Sequence, residues 1–305
     1  MYGKNECFDY VHCLSCGCLQ ICEIPSELGQ YYPADYYSQL ARDEPALATG
    51  LKGAVTRWYC RSSALPPGLA WEAMLRAALP VPTDFFRFGQ YLVEARLQSK
   101  FDRILDVGCG SSPNLLAAFS RCGFSAVEGI DPFNPSDVEY HGVPVYRRTI
   151  EEMEGEYGLI MFHHSLEHVL DPISALQAAA RLLRPSGTCL IRIPVMDTYF
   201  WRTFGVDWIE LDAPRHLHLM TLRTVEMMAQ ATGFSVRKTV FDSQGWEIAG
   251  SRRYQAGISL REPFGSTIDA KTMFSDAELH DFEIQAKSLN SASDGGRACF
   301  YLQKL

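Results

Sequence analysis

The sequence predicts an α/β fold with a doubly wound, mostly parallel sheet, and two observations carry this prediction. From residue 101 onward, short apolar runs alternate with segments in which apolar residues recur at helical spacing. The runs are apolar throughout and do not alternate with polar residues, which is typical of strands that helices cover on both faces.

Seven apolar runs are the predicted strands. They lie at residues 103–107, 125–130, 143–146, 158–162, 188–193, 235–241 and 298–303. Helices are predicted at residues 69–79, 84–98, 114–121, 172–183, 221–232 and 276–289. Two of the predicted helices begin with clear capping signals. Asp171 before Pro172 is an N-cap followed by a first-turn proline, and Ser275 with Glu278 forms a capping box.

The composition limits the class of protein. Of the 305 residues, 47% are hydrophobic and 21% are charged, which permits a large core and excludes global disorder. No apolar run approaches the roughly 18 residues that a membrane helix needs. The first residues show no signal-peptide pattern, so a cytoplasmic location is expected. The net charge of −8 argues against nucleic acid as a partner and leaves a small molecule as the expected one.

A nucleotide site is predicted where the first two strands end, because ligands of open parallel sheets bind at the carboxyl ends of the strands. The first strand leads into Gly108 and Gly110, which permit a sharp turn, and the second leads into Asp131, which suits ribose hydroxyls. An NAD-type fingerprint would need a third glycine where Pro113 stands. Asp106 also suits a positive amino-acid group better than a pyrophosphate.

Four motifs resemble those of class I S-adenosylmethionine-dependent methyltransferases. They are Asp-Val-Gly-Cys-Gly-Ser at 106–111, Gly-Ile-Asp at 129–131, His-Ser-Leu-Glu-His-Val-Leu-Asp-Pro at 164–172 and Leu-Leu-Arg-Pro-Ser-Gly at 182–187. The resemblance covers about residues 100–241 and 298–305. It implies a Rossmann-like sheet of seven strands with the last strand reversed, methyltransferase activity, and S-adenosyl-L-methionine as the cofactor.

The resemblance also implies a set of cofactor contacts, carried over position by position. They are Asp106, Gly108, Cys109 and Gly110 for the methionine part, Asp131 for the ribose, Pro132 or Phe133 with Thr149 and Ile150 for the adenine, and His163 and His164 near the sulfonium. The family often carries aspartate where Thr149 stands. For Cys109 the alternative is a small packed residue without chemistry.

Residues 1–40 resemble the zinc-knuckle segment of a subgroup of this family, some of whose members methylate carbons of nucleotide-linked sugars. Five of the ten cysteines lie here, at Cys7, Cys13, Cys16, Cys18 and Cys22. Tetrahedral zinc needs four ligands, typically two Cys-x-x-Cys pairs, and only Cys13 and Cys16 have the knuckle spacing. The pattern favours an incomplete knuckle with free thiols over a zinc site, so no metal-binding residue is predicted.

The residues that contact the methyl acceptor are predicted in the loop after the fifth strand, where residues 208–217 again resemble the subgroup. Asp212, Arg215 and His216 are expected to face the acceptor. We predict His216 as the general base, His164 as the second candidate and Arg215 as the anchor for an anionic acceptor group. The alternative is structural, with a salt bridge between Asp212 and Arg215 and a helix-capping His216.

The predicted organisation is one enzyme domain with two additions. It comprises an arm at 1–40, a helical extension at 41–100, the methyltransferase domain at 101–241 and 298–305, and an insert at 242–297. The insert starts where a parallel strand ends, beside the site, and is predicted to act as a lid. Trp246 and residues 251–254 either contact the acceptor or form the core of the insert.

The predicted function is S-adenosylmethionine-dependent methyl transfer to a small molecule, with a sugar or nucleotide-linked sugar as the candidate acceptor. The transfer is an in-line displacement that the enzyme assists by positioning and with a base. Two alternatives stay open: a non-catalytic protein that keeps the cofactor fold, and an NAD-linked oxidoreductase, which Pro113 and Asp106 disfavour. For Glu167 and His168, the favoured interpretation is that they hold their loop together.

Overall fold

The computed structural model describes residues 6–32, 50–65, 70–258 and 273–305. The strands in these ranges are β1 (Tyr10–His12), β2 (Leu19–Ile21), β3 (Ile104–Val107), β4 (Val127–Ile130), β5 (Val138–Tyr140), β6 (Val143–Tyr146), β7 (Tyr157–His163), β8 (Leu183–Pro194), β9 (His218–Leu219), β10 (Phe234–Phe241) and β11 (Arg297–Lys304). The helices are α1 (Gly50–Ala64), α2 (Ala70–Ala78), α3 (Thr83–Glu94), α4 (Asn114–Arg121), α5 (Pro172–Leu182), α6 (Tyr199–Phe204), α7 (Leu222–Ala231), α8 (Gly245–Gln255) and α9 (Asp276–Ser291). The predicted helix start at Leu69 lies outside the described residues.

Eight of these strands form one sheet in the order β10-β11-β8-β7-β3-β4-β6-β5. The neighbours from β8 through β7, β3 and β4 to β6 are all parallel. Strand β11 runs antiparallel to both of its neighbours, β8 and β10, so it is the reversed last strand that the resemblance implies. The chain moves outward from β3 to β4 and β6 and then returns to β7. The switch point therefore lies at the carboxyl ends of β3 and β7.

The sheet contains one strand beyond the seven predicted. Strand β5 pairs antiparallel with β6 through a turn in which His141 and Gly142 have φ of 51° and 79°. Two consecutive positive φ values are the backbone of a type I′ hairpin. The strand has only three residues with Glu139 at its centre, so no apolar run marks it in the sequence.

Strand β8 begins earlier than predicted. Its pairing with β7 passes from Tyr157 opposite Leu183 to Leu159 opposite Thr188, so residues 184–187 loop out of register. The sequence at 184–187 predicts a stop, because it contains Pro185 and Gly187. A bulge accommodates a proline, which has no N–H for the ladder, and the strand continues through it.

Helices cover both faces of the sheet, as the unbroken apolar strands predict. On one face Leu105, Ile160 and Ile191 share a buried cluster with residues of α5 and α7. On the other face Leu159 and Leu190 pack with residues of α3 and α4. Successive strand residues point to opposite faces, so both clusters draw on the same strands and the fold is doubly wound.

The arm and the insert share a third buried cluster. Strands β1, β2 and β9 form a separate three-stranded sheet. The third cluster joins Leu19 of β2, Leu219 of β9 and Met196, which follows β8, to Ile248 of α8 and Phe282 of α9. Both additions therefore pack near the carboxyl end of β8, on the side of the predicted site. Residues 33–40 of the predicted arm and 259–272 of the predicted insert lie outside the described residues.

The cysteine-rich turn of the arm closes the hairpin between β1 and β2. Cys13 N–H donates to Cys18 O at 2.9 Å, and Gly17 N–H donates to Cys13 O at 2.7 Å. Gly17 has a φ of 79°, which explains the glycine at this position. All ten cysteines of the chain are free thiols.

No helix within the described ranges is both long enough and apolar enough to cross a membrane.

Candidate active site

Two carboxyl groups and a glycine turn meet where β3 and β4 end. Asp106 lies in β3, and Asp131 directly follows β4, the parallel neighbour of β3. The Asp131 carboxylate accepts hydrogen bonds from the N–H groups of Gly110 and Phe133, each at 2.9 Å. Gly108 and Gly110 have φ of 73° and 69°, the left-handed region that glycine adopts without strain. The predicted turn is thus present and is tied to Asp131.

The Asp106 carboxyl group is buried without a full set of partners. The residue is 4% exposed, and its Oδ1 has no hydrogen-bond partner among the residues that the structure describes. Burial, followed by repulsion from Asp131, holds the pKa of Asp106 well above its usual range. A buried acid without a counter-charge suits a cationic ligand group, and S-adenosyl-L-methionine carries such groups in its sulfonium and ammonium centres. The residues present therefore fit this cofactor.

The predicted adenine contacts lie in two environments. Pro132 and Phe133 are exposed, Phe133 by 90%, so their surfaces are open to a flat ligand. Thr149 is exposed too, and its N–H donates to Glu152 Oε2 at 2.8 Å. Ile150 differs from the prediction, because it is 3% exposed and its side chain belongs to the core. Only its backbone can serve the predicted contact.

Cys109 packs against the second strand of the site. A Cβ added at Gly129 would collide with Cys109 Sγ, so the thiol fills the space that the glycine leaves. Burial raises the pKa of Cys109 well above its usual range, which disfavours thiolate chemistry. Gly108 is required in a similar way, because a Cβ there would collide with Ser165. These contacts support the packing alternative for Cys109.

His163 and His164 lie at the end of β7, and Arg192 of β8 contacts both. The Arg192 guanidinium donates to His164 Nε2, and its Nη1 lies 3.4 Å from His163 Nε2. Since a guanidinium only donates, the lone pair of His164 Nε2 is engaged and Nδ1 carries the hydrogen. Burial, followed by the charge of Arg192, holds the pKa of His164 well below its usual range. Because Arg192 occupies its acceptor nitrogen, His164 is a poorer candidate for the base than an imidazole with a free lone pair.

Glu167 is a buried acid between the end of β7 and the segment after β8. It is 1% exposed, and neither carboxyl oxygen accepts a hydrogen bond from the described part of the chain. Its Oε1 lies 3.4 Å from His164 Nδ1 and 4.0 Å from His216 Nε2. Burial raises the pKa of Glu167 to about 8. The sequence favours a loop-holding role for Glu167, but a side chain without a hydrogen-bond partner does little to hold a loop.

His168 and His216 lie beside Glu167, with their ring centroids 4.7 Å apart. His216 Nδ1 is 2.7 Å from Glu210 O, and His168 Nδ1 is 2.8 Å from Arg215 O. Because a carbonyl oxygen only accepts, each Nδ1 carries the hydrogen and each Nε2 keeps its lone pair. Burial lowers the pKa of both imidazoles to about 3, so both are neutral near pH 7.

Arg215 is engaged in a buried ion pair. Its Nε donates to Asp212 Oδ2 at 2.9 Å, and its Nη2 donates to Oδ1 of the same residue. Its Nη1 donates to Tyr31 O of the arm at 2.7 Å, and the residue is 2% exposed. This is the salt bridge of the structural alternative. The structure favours that role over the predicted anchor, because binding an anionic acceptor would require breaking the buried pair.

A second buried charge network adjoins the site, and no local sequence pattern marks it. Arg297 of β11 lies 3.3 Å from Glu210 Oε1 and 3.2 Å from both Asp242 Oδ1 and Glu247 Oε1. Arg192 lies 2.7 Å from the other oxygen of Asp242. The network joins β8, β11 and α8, so it fixes the insert to the sheet beside His163 and His164.

The inner face of α8 is largely the core of the insert. Ser251 is fully buried, accepts a hydrogen bond from Ile209 N–H at 3.1 Å and donates to Glu247 O at 2.8 Å. Tyr254 packs against the third buried cluster. Trp246 is 39% exposed and Arg252 is exposed as well, so these two predicted insert contacts keep an open surface.

Comparison with known proteins places the central part of the chain in a family. A family model described as a methyltransferase domain matches residues 80–239. The chain is 32% identical over 133 residues to the ubiquinone biosynthesis O-methyltransferase of Bordetella avium (strain 197N), covering 38% of this chain and 53% of that protein. It is 32% identical over 160 residues to the protein of that name from Xanthomonas oryzae pv. oryzae (strain PXO99A), covering 47% and 62%. The chain thus spans less than two thirds of these relatives.

Two solved structures resemble the chain more distantly. One is the mycolic acid cyclopropane synthase CmaA1 complexed with SAH and CTAB, at 18% identity and a TM-score of 0.45, covering 72% of this chain and 84% of that chain. The other is an S-adenosylmethionine dependent methyltransferase from Mesorhizobium loti, at 16% identity and a TM-score of 0.42, covering 78% and 99%.

The family model covers more than half of the 305 residues and includes the glycine turn and both site carboxyl groups. It confirms the prediction of a methyltransferase and, with it, S-adenosyl-L-methionine as the cofactor. The chain belongs to the family of proteins with a methyltransferase domain.

Proposed function

We propose that this protein transfers the methyl group of S-adenosyl-L-methionine to a hydroxyl oxygen of a small-molecule acceptor. The observation that carries the proposal is the buried Asp106 carboxyl group, which lies near Asp131 at the ends of two parallel strands. Within the described ranges its Oδ1 has no hydrogen-bond partner. The names of the two curated relatives, both O-methyltransferases, support oxygen as the methylated atom. A nucleotide-linked sugar stays the first acceptor to test, beside hydroxylated aromatic compounds.

The cofactor would be held at the ends of β3 and β4. The residues proposed for this are Asp106, Gly108, Cys109, Gly110, Asp131, Pro132, Phe133, Thr149, Ile150 through its backbone, His163 and His164. When bound, the cofactor supplies an electrophilic methyl group on a sulfonium. Asp106 balances positive charge there, and Asp131 offers ribose hydroxyls a carboxylate that two backbone N–H groups already orient.

His216 is the proposed acceptor of the hydroxyl proton. Its Nδ1–H is committed to Glu210 O at 2.7 Å, which fixes the tautomer and leaves the Nε2 lone pair to take the proton. The imidazolium that forms would face the Glu167 carboxyl group, whose Oε1 is 4.0 Å from Nε2. His164 accepts a hydrogen bond from Arg192, and Arg215 pairs with Asp212. Both residues are therefore proposed to position the site and not to react with the acceptor.

The test is release of S-adenosylhomocysteine with a panel of hydroxylated acceptors and the variant His216→Asn. Asparagine can still donate an N–H to Glu210 O but has no group at the Nε2 position. We expect kcat to fall by at least about a hundredfold and cofactor affinity to stay unchanged. The control His12→Asn changes an exposed histidine of β1 and should leave turnover unchanged.

Two results would count against this assignment. Full turnover in His216→Asn would exclude His216 as the base. Cofactor binding by the wild type without turnover on any acceptor of the panel would favour the non-catalytic alternative instead.

A further inference from the structure

We propose that Glu167, His168 and His216 bind one divalent transition-metal ion. One potential ligand atom of each residue lies within 4.8 Å of those of the other two. The use of such an ion in catalysis rests on the proposed function, whereas its binding does not.

The Glu167 carboxyl group is the first argument for an ion. It is 1% exposed, and both oxygens lack a hydrogen-bond partner among the described residues. A buried carboxylate in that state is costly unless a proton or a cation neutralises it. The cationic side chains nearby are engaged elsewhere, since Arg192 pairs with Asp242 and Arg215 pairs with Asp212. In the metal-free protein a proton neutralises this carboxyl group near pH 7, and a bound metal ion would replace that proton.

The orientation of the two imidazoles is the second argument. His168 and His216 each direct Nδ1–H to a backbone carbonyl, of Arg215 and Glu210 respectively. A metal-binding histidine almost always donates its other ring N–H in this way, because the hydrogen bond fixes the tautomer and aims the free nitrogen. The His216 Nε2 lone pair lies 4.0 Å from Glu167 Oε1, and the tautomer of His168 leaves its Nε2 lone pair available for a ligand.

The backbone holds the two ligand-bearing segments together. Leu217 N–H, next to His216, donates to Glu167 O at 2.8 Å. From the arm, Tyr10 Oη donates to His216 O at 2.8 Å. Ligand atoms at about 2.1 Å from a tetrahedral ion lie roughly 3.4 Å apart, so the three ligand atoms must approach one another by up to about 1.4 Å. The Glu167 side chain can contribute to that movement, because no hydrogen bond from the described residues restrains its carboxyl group.

The ligand set indicates the kind of ion. Two imidazoles and one carboxylate suit Zn²⁺, Co²⁺ or Fe²⁺, whereas Mg²⁺ and Ca²⁺ prefer oxygen ligands alone. Three protein ligands leave a coordination position open. An acceptor hydroxyl bound there would lose its proton more readily. His216 would be a ligand in the metal-bound form, so its proposed role as base applies to the metal-free protein.

The test is a titration of the full-length, chelator-treated protein with Co²⁺, followed by visible absorption and by thermal unfolding. The background carries Cys13→Ser and Cys16→Ser, since thiols also bind Co²⁺. We expect one Co²⁺ per chain, with the weak visible bands of nitrogen and oxygen coordination and a raised Tm. Glu167→Gln and His168→Asn should each weaken binding by at least about tenfold.

The variants carry their own fold control. Glu167→Gln removes no hydrogen bond that the described residues make, and asparagine at position 168 can keep the N–H donated to Arg215 O. Without metal, both variants should therefore unfold near the Tm of the background protein. Both should also bind S-adenosyl-L-methionine with unchanged affinity. Absence of Co²⁺ binding in the background with Cys13→Ser and Cys16→Ser, or equal binding in Glu167→Gln, would overturn the metal site. Either result would leave His216 as the proposed base, so the two proposals fail separately.

Discussion

Asp106 occupies a buried strand position at which folding alone would favour an apolar side chain. Its Oδ1 has no hydrogen-bond partner in the described segments, and Asp131 adds a second acid nearby. A carboxyl group kept under these conditions lowers the stability of the cofactor-free protein, which is common where a side chain serves a ligand.

Replacing this acid should therefore stabilise the cofactor-free protein. We expect Asp106→Asn to raise the free energy of unfolding near neutral pH by about 1–3 kcal/mol. The pKa of Asp106 is raised in the folded state, so its contribution to stability is full below the unfolded value of about 3.9 and is lost as the pH rises through the folded value. Urea denaturation at about pH 5 and pH 8 should show a steeper loss in the wild type than in the variant.

The control for this measurement is Asp281→Asn, at an exposed position of α9. It should follow the wild type at both pH values. If Asp106→Asn is no more stable than the wild type near neutral pH, Asp106 is not an unbalanced buried acid.

The contact between Cys109 and Gly129 gives a second prediction at this scale. Gly129→Ala should cost about 1–3 kcal/mol of stability, because the new Cβ collides with Cys109 Sγ. In Cys109→Ala that sulfur is gone, so the double variant should lose clearly less than the sum of the two single losses. Thermal unfolding of all four proteins measures the coupling. Strict additivity would show that the thiol does not fill this space.

Site residues differ in how far the sequence predicts them. Asp106, the glycine turn and Asp131 are assignable, because each ends a strand and the rule for parallel sheets brings them together. The approach of His216 to Glu167 and the Arg297 network unite segments far apart in the chain, and no local pattern encodes them. The burial of Ile150 cannot be predicted from the sequence either, because it depends on packing against the completed core.

At the scale of elements, apolar runs and helix caps predict most of the sheet and its covering helices. Asp171 caps α5, with its Oδ1 accepting from Ser174 N–H at 3.0 Å, and Ser275 caps α9 through Glu278 N–H at 3.3 Å. The sequence does not predict strand β5 or the early start of β8. The first is held by a hairpin turn without an apolar run, and the second continues through a bulge that the sequence marks as a stop.

The insert is the element whose attachment can be tested most sharply. Arg297→Met should cost about 3–5 kcal/mol, because it leaves Glu210 and Glu247 buried without their cation. The matched control is Arg202→Met, which breaks an ion pair with Asp294 whose arginine is 52% exposed and should cost at most about 1 kcal/mol. Equal losses in urea denaturation would show that the buried network does not hold α8 on the sheet.

At the scale of the whole molecule, three parts of the chain converge on the carboxyl ends of the parallel strands. The sheet supplies Asp106 and Asp131, the segment after β8 supplies His216, and the arm reaches that segment through Tyr10. The insert closes the same side through the Arg297 network. The central claim is that this edge of the sheet binds S-adenosyl-L-methionine through the two carboxyl groups.

Calorimetric titration of the full-length protein with S-adenosyl-L-methionine tests that claim most directly. The wild type and Asp281→Asn should bind one molecule per chain with equal affinity. Asp106→Asn and Asp131→Asn should each bind at least about thirtyfold more weakly, because a buried charge pairing with the ligand is lost. Equal binding by the wild type and both site variants, or no binding by the wild type, would contradict the account.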